Sequence, residues 1–472
     1  MTDTKHIHLT AICGMGMGAF AGILKQAGFR VTGSDQNVYP PMSDKLAEMG
    51  IEIMSPYSPD NIEDSPDMVI VGNAIKKDNP EILAVIEKGI PYMSFPQALE
   101  TYFLKEKKSL VVAGTHGKTT TSSLLAWTLE ENAMSPSFLI GGLLHNFGTS
   151  CKLGEGEYFV VEGDEYDTAF FDKIPKFMHY CPKSAILTNV EFDHGDIYRD
   201  IDHVKDAFRS FVKLIPNDGY LIACTDFPHV KDVIKSAKCR VESYGLSPDC
   251  DWTLENMVLG SESSRFTVLY KNKVLGDFKI LIPGKHNITN ALATIALLYH
   301  QGLTIEGIAR GLATFTGIKR RQEVRGVVNG VTVIDDFAHH PTKVRETVCA
   351  IRSKYNNGKL WAIFEPRTNT SRRAFFQNDY VNSFDDAEKV VVAGVFNEAL
   401  IDQEDRFSPV KLTKDLSEKG KDAYFIPLVD DIVSFICERV QSGDVILVMS
   451  NGGFDSIHEK LLAELGSAKI AV

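Results

Sequence analysis

The sequence predicts an α/β protein of several domains, two of which carry glycine turns of the kind that receive nucleotides. Three observations carry this. Short apolar runs alternate with helical periods along most of the chain. Residues 6–35 read as strand, glycine turn, helix, strand and acid, the order of a mononucleotide-binding half. A second apolar run, Leu110, Val111, Val112 and Ala113, enters Gly114-Thr115-His116-Gly117-Lys118-Thr119-Thr120 and then a helical stretch. At 472 residues the chain suits two to four domains, each with its own core.

In chain order, a strand over residues 6–12 leads to Gly14-Met15-Gly16-Met17-Gly18. A helical pattern through Phe20, Ile23, Leu24 and Ala27 follows, then a strand over 29–33 ending in Ser34-Asp35. The glycines let the backbone approach a diphosphate. Asp35 stands where a carboxylate accepts ribose hydroxyls, although alone it reads equally as a solvated loop acid. The alternation continues with a strand at 67–71 followed by Gly72-Asn73-Ala74, a helix at 79–88 with Pro80 at its start, a strand at 90–93 and a helix at 96–104. The charged run 105–108 marks a boundary or surface turn.

The second turn departs from G-x-x-x-x-G-K-[ST], because Val112 stands where the first glycine belongs. Its physics is nonetheless that of an anion cradle. Gly114 and Gly117 allow backbone N–H groups to converge at a helix start, Lys118 reaches terminal phosphates, and the Thr119 hydroxyl suits Mg²⁺. Strands at 158–161 and 184–187 end in Glu162-Gly163-Asp164-Glu165 and Thr188-Asn189-Val190-Glu191-Phe192-Asp193-His194. Ligands of open α/β sheets sit at such strand ends. Thr119, Glu162, Asn189 and His194 are therefore expected to meet around one Mg-nucleotide, although His194 alone reads as a structural histidine. A β-hairpin region is expected over 252–281. Beyond it, Asn287 and Asn290 share one face of a helix running to His300, where their amides either read a purine edge or cap the helix. A further helix (305–313) precedes Lys319-Arg320-Arg321, a basic turn or a phosphate clamp. Strands near 331–334, 359–364, 389–392, 423–426 and 445–449 predict a third domain with a parallel sheet and polar clusters at its strand ends.

Composition bounds the partners. The net charge of −12 argues against nucleic acid or an anionic membrane. The eight cysteines are scattered, with no C-x-x-C pair, which favours reduced thiols over disulfides or a cysteine zinc site. The polar start is not a signal peptide, and no apolar run reaches spanning length. A cytoplasmic protein is expected. No nucleophile signature stands out, but phosphoryl transfer needs only positioning and charge neutralisation. Three function classes remain on these residues: ATP-driven activation of a nucleotide-linked substrate, a nicotinamide oxidoreductase using Gly14 to Asp35, and a phosphate-loop switch.

The motifs together resemble the Mur ligase family across essentially the whole chain. The stretches concerned are the first glycine turn with Gly33-Ser34-Asp35, residues 114–120, 162–165, 189–194, 284–290, 319–323 and 335–341. The resemblance implies three domains: residues 1–106, Rossmann-like and binding a UDP-sugar; 107–318, a P-loop ATPase with a mixed sheet; and 319–472, Rossmann-like, binding ATP and the acceptor. It implies ATP-dependent amide formation through an acyl phosphate, with UDP-N-acetylmuramate as donor of the carboxylate and a short peptide or amino acid as acceptor. By the same resemblance Lys118, Glu162, His194 and Arg321 are catalytic, and Thr119, Glu162 and His194 hold Mg²⁺. ATP lies on Gly114, Thr115, His116, Gly117, Lys118, Thr119, Thr120, Asn287, Asn290, Arg321, Asp336 and His339. The UDP-sugar lies on Gly14, Met15, Gly16, Met17, Gly18, Asp35, Asn73 and Ala74. Several relatives carry a carbamylated lysine where spacing places Arg209 here, so carbamylation is not expected. Residues 38–43, 365–370 and 449–454 are similar to members that accept L-alanyl-γ-D-glutamyl-meso-diaminopimelate rather than L-alanine. Such an acceptor, rich in carboxylates, needs planar cations and amides, which Arg367, Asn369, Arg372 and Asn451 supply.

Overall fold

The computed structural model describes residues 5–38 and 42–467. Residues 39–41, in the middle of the 38–43 stretch, lie outside the described residues. The chain forms three α/β domains around three sheets. The first sheet is parallel throughout, in the order Glu52–Met54, Arg30–Ser34, His6–Thr10, Met68–Val71, Tyr92–Ser94. Gly33 is required in it. A Cβ there would lie 2.7 Å from Leu9 O and 2.5 Å from Ile12 Cδ1.

The second sheet has ten strands. Its core is the parallel set Tyr220–Cys224, Pro182–Leu187, Lys108–Ala113, Tyr158–Gly163 and Ser137–Leu144. Thr149–Lys152 closes one side antiparallel. On the other side Arg240–Tyr244 leads into an antiparallel meander of Trp252–Leu259, Ser264–Tyr270 and Lys273–Ile280. The expected hairpin is thus three strands. Ser137–Leu144 escaped the sequence reading because Gly141-Gly142 interrupts its apolar run, and strand glycines usually mark a close approach instead. Here the approach is by Glu162, whose Oε2 would lie 2.7 Å from a Cβ on Gly141.

The third sheet runs Glu323–Val328, Val331–Asp336, Val445–Met449, Leu360–Phe364, Lys389–Val392, Asp422–Phe425, and only its first strand is antiparallel.

Side-chain alternation along Lys108–Ala113 divides the core. Val111 and Ala113 join one cluster that runs unbroken from Ile7 and Phe20 of the first domain to Phe177 and Phe208 of the second. Leu110 and Val112 face helices Lys118–Glu131 and Lys285–His300 in another. The third domain has clusters of its own. No helix among the described residues is long and apolar enough to cross a membrane.

One buried acid braces the helix that carries both expected adenine-facing asparagines. Glu242 accepts hydrogen bonds from Trp252 Nε1 (2.7 Å), Tyr270 Oη (2.9 Å) and His300 Nε2 (2.7 Å). Burial pushes its carboxyl up, but these hydrogen bonds outweigh it and hold the pKa at about 2. A depressed acid stabilises the fold above its unfolded pKa, and that contribution is lost as pH falls through the folded value. The urea midpoint of Glu242→Gln should therefore lie below that of wild type at neutral pH, with the gap narrowing toward about pH 3. A gap that stays constant with pH would exclude this brace.

Candidate active site

The strand Lys108–Ala113 ends in a loop that only glycine can shape at two points. Gly114 has φ +134° and Gly117 has φ +82°. A Cβ on Gly114 would meet Thr188 Oγ1 at 2.1 Å, and one on Gly117 would meet Asn290 Oδ1 at 2.9 Å. The loop is stitched to the next strand end. Thr115 N and His116 N donate to Asn189 O (3.3 Å) and Asn189 Oδ1 (2.8 Å), and Thr188 Oγ1 donates to His116 O (2.5 Å). Helix Lys118–Glu131 then starts with its N–H groups facing the loop, and Thr120 lies in its first turn.

Around this helix start the structure gathers the expected residues. Thr119 Oγ1 donates to Glu162 Oε1 at 2.6 Å, and Gly141 N donates to Glu162 Oε2. Burial, and then Asp164, push the Glu162 carboxyl above its ordinary range. A desolvated carboxylate beside a hydroxyl fits a hard divalent cation, which would supply the missing positive charge. Arg321 reaches across from the third domain, Nη2 to Thr119 Oγ1 at 3.4 Å, with its guanidinium 4.6 Å from the Phe337 ring. Arg320, next in sequence, does something else: it donates to Ser450 O (2.8 Å) and Gly452 O (2.7 Å) and pairs with Asp335 (3.3 Å).

Lys118 is already engaged. Its Nζ donates to Gly114 O and to Glu165 Oε2, both at 2.8 Å. Burial lowers its pKa, but Glu165 and Asp164 outweigh burial and keep the ammonium charged. A phosphate at this loop would compete with Glu165 for Lys118. His194 Nε2 faces the same Glu165, at 3.6 Å from Oε1. Glu165 was missed as a site residue, although it stands at the end of the 162–165 run. Only the fold shows that it touches both the lysine and the histidine. Arg209 is elsewhere, its guanidinium taken by Asp206 (2.7 Å) and Asp232 (2.6 Å).

Asn287 and Asn290 share a face, as expected, with Asn290 Nδ2 donating to Asn287 Oδ1 at 3.3 Å. Asn287 does not cap the helix; its amide donates to Pro283 O at 2.6 Å. Asp336 is buried and accepts from Gln322 N (2.9 Å) and Ala338 N (2.8 Å), and burial raises its pKa. His339 Nδ1 bonds Phe337 O at 2.9 Å, and burial lowers its pKa.

In the first domain Gly14 precedes helix Met15–Gln26, and a Cβ on Gly16 would meet open space. Met15 is exposed, whereas Met17 is packed in the core. Gly18 gives close passage to Met42, whose Sδ would lie 2.3 Å from a Cβ. Asp35 holds the turn, accepting from Cys13 N (2.9 Å) and Asn37 N (3.0 Å). Asn73 and Ala74 are exposed, and Asn73 Nδ2 donates to Asp167 O of the second domain at 2.7 Å.

In the third domain Arg367 lies 3.7 Å over the Phe396 ring and 3.2 Å from Glu365. Asn369 Nδ2 donates to Asp196 (2.9 Å) and Oδ1 accepts from Arg372 (2.7 Å). Asn451 Oδ1 and Arg372 Nε are buried without hydrogen-bond partners. Thr370 Oγ1 donates to Asp193 of the second domain at 2.7 Å.

Three family models match in succession: "Mur ligase family, catalytic domain" at residues 6–106, "Mur ligase middle domain" at 112–298 and "Mur ligase, glutamate ligase domain" at 320–452. A UDP-N-acetylmuramate–L-alanyl-γ-D-glutamyl-meso-2,6-diaminoheptandioate ligase of Haemophilus influenzae is 40% identical over 98% of this chain and 99% of its own. The chain belongs to the Mur ligase family. The crystal structure of a murein peptide ligase from Psychrobacter arcticus aligns with TM-score 0.73 at 34% identity, covering 99% and 100% of the two chains. That of the UDP-N-acetylmuramate–alanine ligase of Thermotoga maritima aligns with TM-score 0.81 at 25% identity, again over 99% and 100%. This Mur ligase is accordingly an enzyme of the ATP-dependent amide-forming class, and the nicotinamide and switch alternatives fall away.

Gly117→Ala tests the loop. The added methyl meets Asn290 at a backbone conformation that costs about 1–3 kcal/mol. ATP affinity should fall about tenfold or more by calorimetry, with the thermal transition retained. Unchanged affinity would show that this loop does not receive the nucleotide.

Proposed function

We propose that this protein joins UDP-N-acetylmuramate to L-alanyl-γ-D-glutamyl-meso-diaminopimelate, with cleavage of ATP to ADP and phosphate, in peptidoglycan recycling in the cytoplasm. The observation that carries the reading is the Thr119–Glu162 oxygen pair beside Lys118, closed by Arg321 from another domain. The muramyl carboxylate attacks the γ-phosphorus, ADP leaves, and a mixed acyl phosphate forms. The acceptor amine then attacks the acyl carbon, loses a proton and expels phosphate as the amide forms. Such chemistry needs alignment and charge neutralisation more than a protein nucleophile.

In this reading the 114–120 loop, with Lys118 released from Glu165, cradles the phosphates. Thr119, Glu162 and His194 would hold Mg²⁺, which would supply positive charge against the phosphates. Arg321 caps the same charge. Asn287 and Asn290 take the adenine, with Asp336 and His339 on the ribose side. Gly14, Met15, Gly16, Met17 and Gly18 offer backbone to the UDP-sugar, and Asp35 acts mainly by holding that turn. Asn73 and Ala74 complete its rim. Arg367, Asn369, Arg372 and Asn451 form the acceptor side, where the unpartnered Asn451 Oδ1 and Arg372 Nε are ready polar groups.

The second reading is a UDP-N-acetylmuramate–L-alanine ligase, favoured by the higher TM-score of the Thermotoga maritima structure. That score weighs overall shape, and shape does not fix the acceptor. Identity supports the tripeptide: 40% to the tripeptide ligase against 36% to an L-alanine ligase of Acetivibrio thermocellus, and 34% against 25% for the two crystal structures.

ADP release should be much faster with the tripeptide than with L-alanine at equal concentrations. A preference for L-alanine would establish the second reading. Lys118→Ala should abolish ligation while leaving the thermal transition in place, and ligation at the wild-type rate would remove the loop from the mechanism.

A further inference from the structure

The ligation chemistry leaves the imidazole of His116 without a task. The side chain is buried, and its Nε2 stands 3.0 Å from Glu191 Oε2 in an orientation that completes no hydrogen bond for either atom. The His340 ring lies 4.3 Å away, centroid to centroid. One donor atom from each of the three side chains falls within 4.8 Å of the other two. They come from three places: the phosphate loop, the loop after strand Pro182–Leu187, and the N-cap of helix Pro341–Lys354 in the third domain.

Each is anchored from behind. His116 N donates to Asn189 Oδ1 (2.8 Å), and Glu191 N donates to Thr115 Oγ1 (2.9 Å). Glu191 Oε1 accepts from Thr342 Oγ1 at 3.2 Å. His340 Nε2 bonds Phe192 O at 3.2 Å, the kind of backing that orients a ligating imidazole. Its Nδ1 accepts only a long bond, 3.3 Å, from Thr342 N, which coordination would displace.

The geometry points to a second metal site, His116–Glu191–His340, that takes Zn²⁺ or a similar divalent transition ion and clasps the third domain to the phosphate loop. Two imidazoles and one carboxylate suit borderline ions, whereas the all-oxygen pair Thr119–Glu162 suits Mg²⁺. Three protein donors leave a position open for water, and an ion between them would take each at about 2.0–2.2 Å. An ion held there ties nucleotide loop to domain closure, so Zn²⁺ should slow turnover and a chelator should restore it.

Co²⁺ is the probe. Metal-stripped, nucleotide-free full-length protein is titrated with it in excess Mg²⁺. One Co²⁺ per chain is expected, with the intense visible absorption of low-coordinate cobalt, displaced by Zn²⁺. Affinity should fall about tenfold or more in Glu191→Gln and in His340→Asn, and persist in Glu162→Gln. Zn²⁺ should also raise the melting temperature of wild type but not of His340→Asn. The absence of stoichiometric Co²⁺ binding by wild type overturns the site, whatever the variants do. So does binding unchanged in both Glu191→Gln and His340→Asn, or lost in Glu162→Gln, which would put the ion at the oxygen site instead.

Discussion

A single hydrogen bond, Thr119 to Glu162, joins the first turn of a helix to the end of a neighbouring parallel strand. Much of the central domain serves it. The left-handed glycines before it let the loop turn back on strand Lys108–Ala113. The bare Cα of Gly141 lets the third strand of the group come close enough to donate to the same carboxylate. The charge pattern follows from the burial of that acid. Asp164 would also be pushed up by burial, but Lys176 and Lys118 outweigh it and hold it down. Three acids (Glu162, Asp164 and Glu165), two lysines and one arginine so share one dry corner, where interactions are strong and an added cation or phosphate redistributes them.

The three domains are joined by different physics. The first and second share a continuous apolar core, so separating them would expose large hydrophobic surface. The third meets the second near the site through polar contacts, Thr370 with Asp193, Asn369 with Asp196, His340 with Phe192 O and Arg321 with Thr119, and through a small aromatic contact of Phe375 and Phe376 on Phe192. Polar contacts exchange with water at small net cost. The natural place for motion is therefore between the second and third domains, where an acceptor must enter and an acyl phosphate must be shielded.

Glu165 holds Lys118 and faces His194. The loop lysine is thus kept charged and placed before any phosphate arrives, at the cost of an exchange when one does. The same principle runs through Asp35 and Asp336, whose oxygens accept from backbone N–H groups of the loops around them. An acid beside a ligand loop often shapes the loop first.

The sequence by itself determined the α/β class, the two glycine turns, the Lys118–Thr119 cradle with Glu162, and the family. These are local: φ-permissive glycines, apolar strand runs and polar strand ends are written in neighbouring residues. Ser137–Leu144 was hidden because its glycines serve a contact with residue 162, not a strand propensity. The tertiary structure alone decided that Arg320 turns to Ser450 O and Gly452 O, that Glu165 claims Lys118, and that His116, Glu191 and His340 converge. Each of these joins residues brought together by sheet order and domain docking, and sequence spacing does not encode distance across a fold.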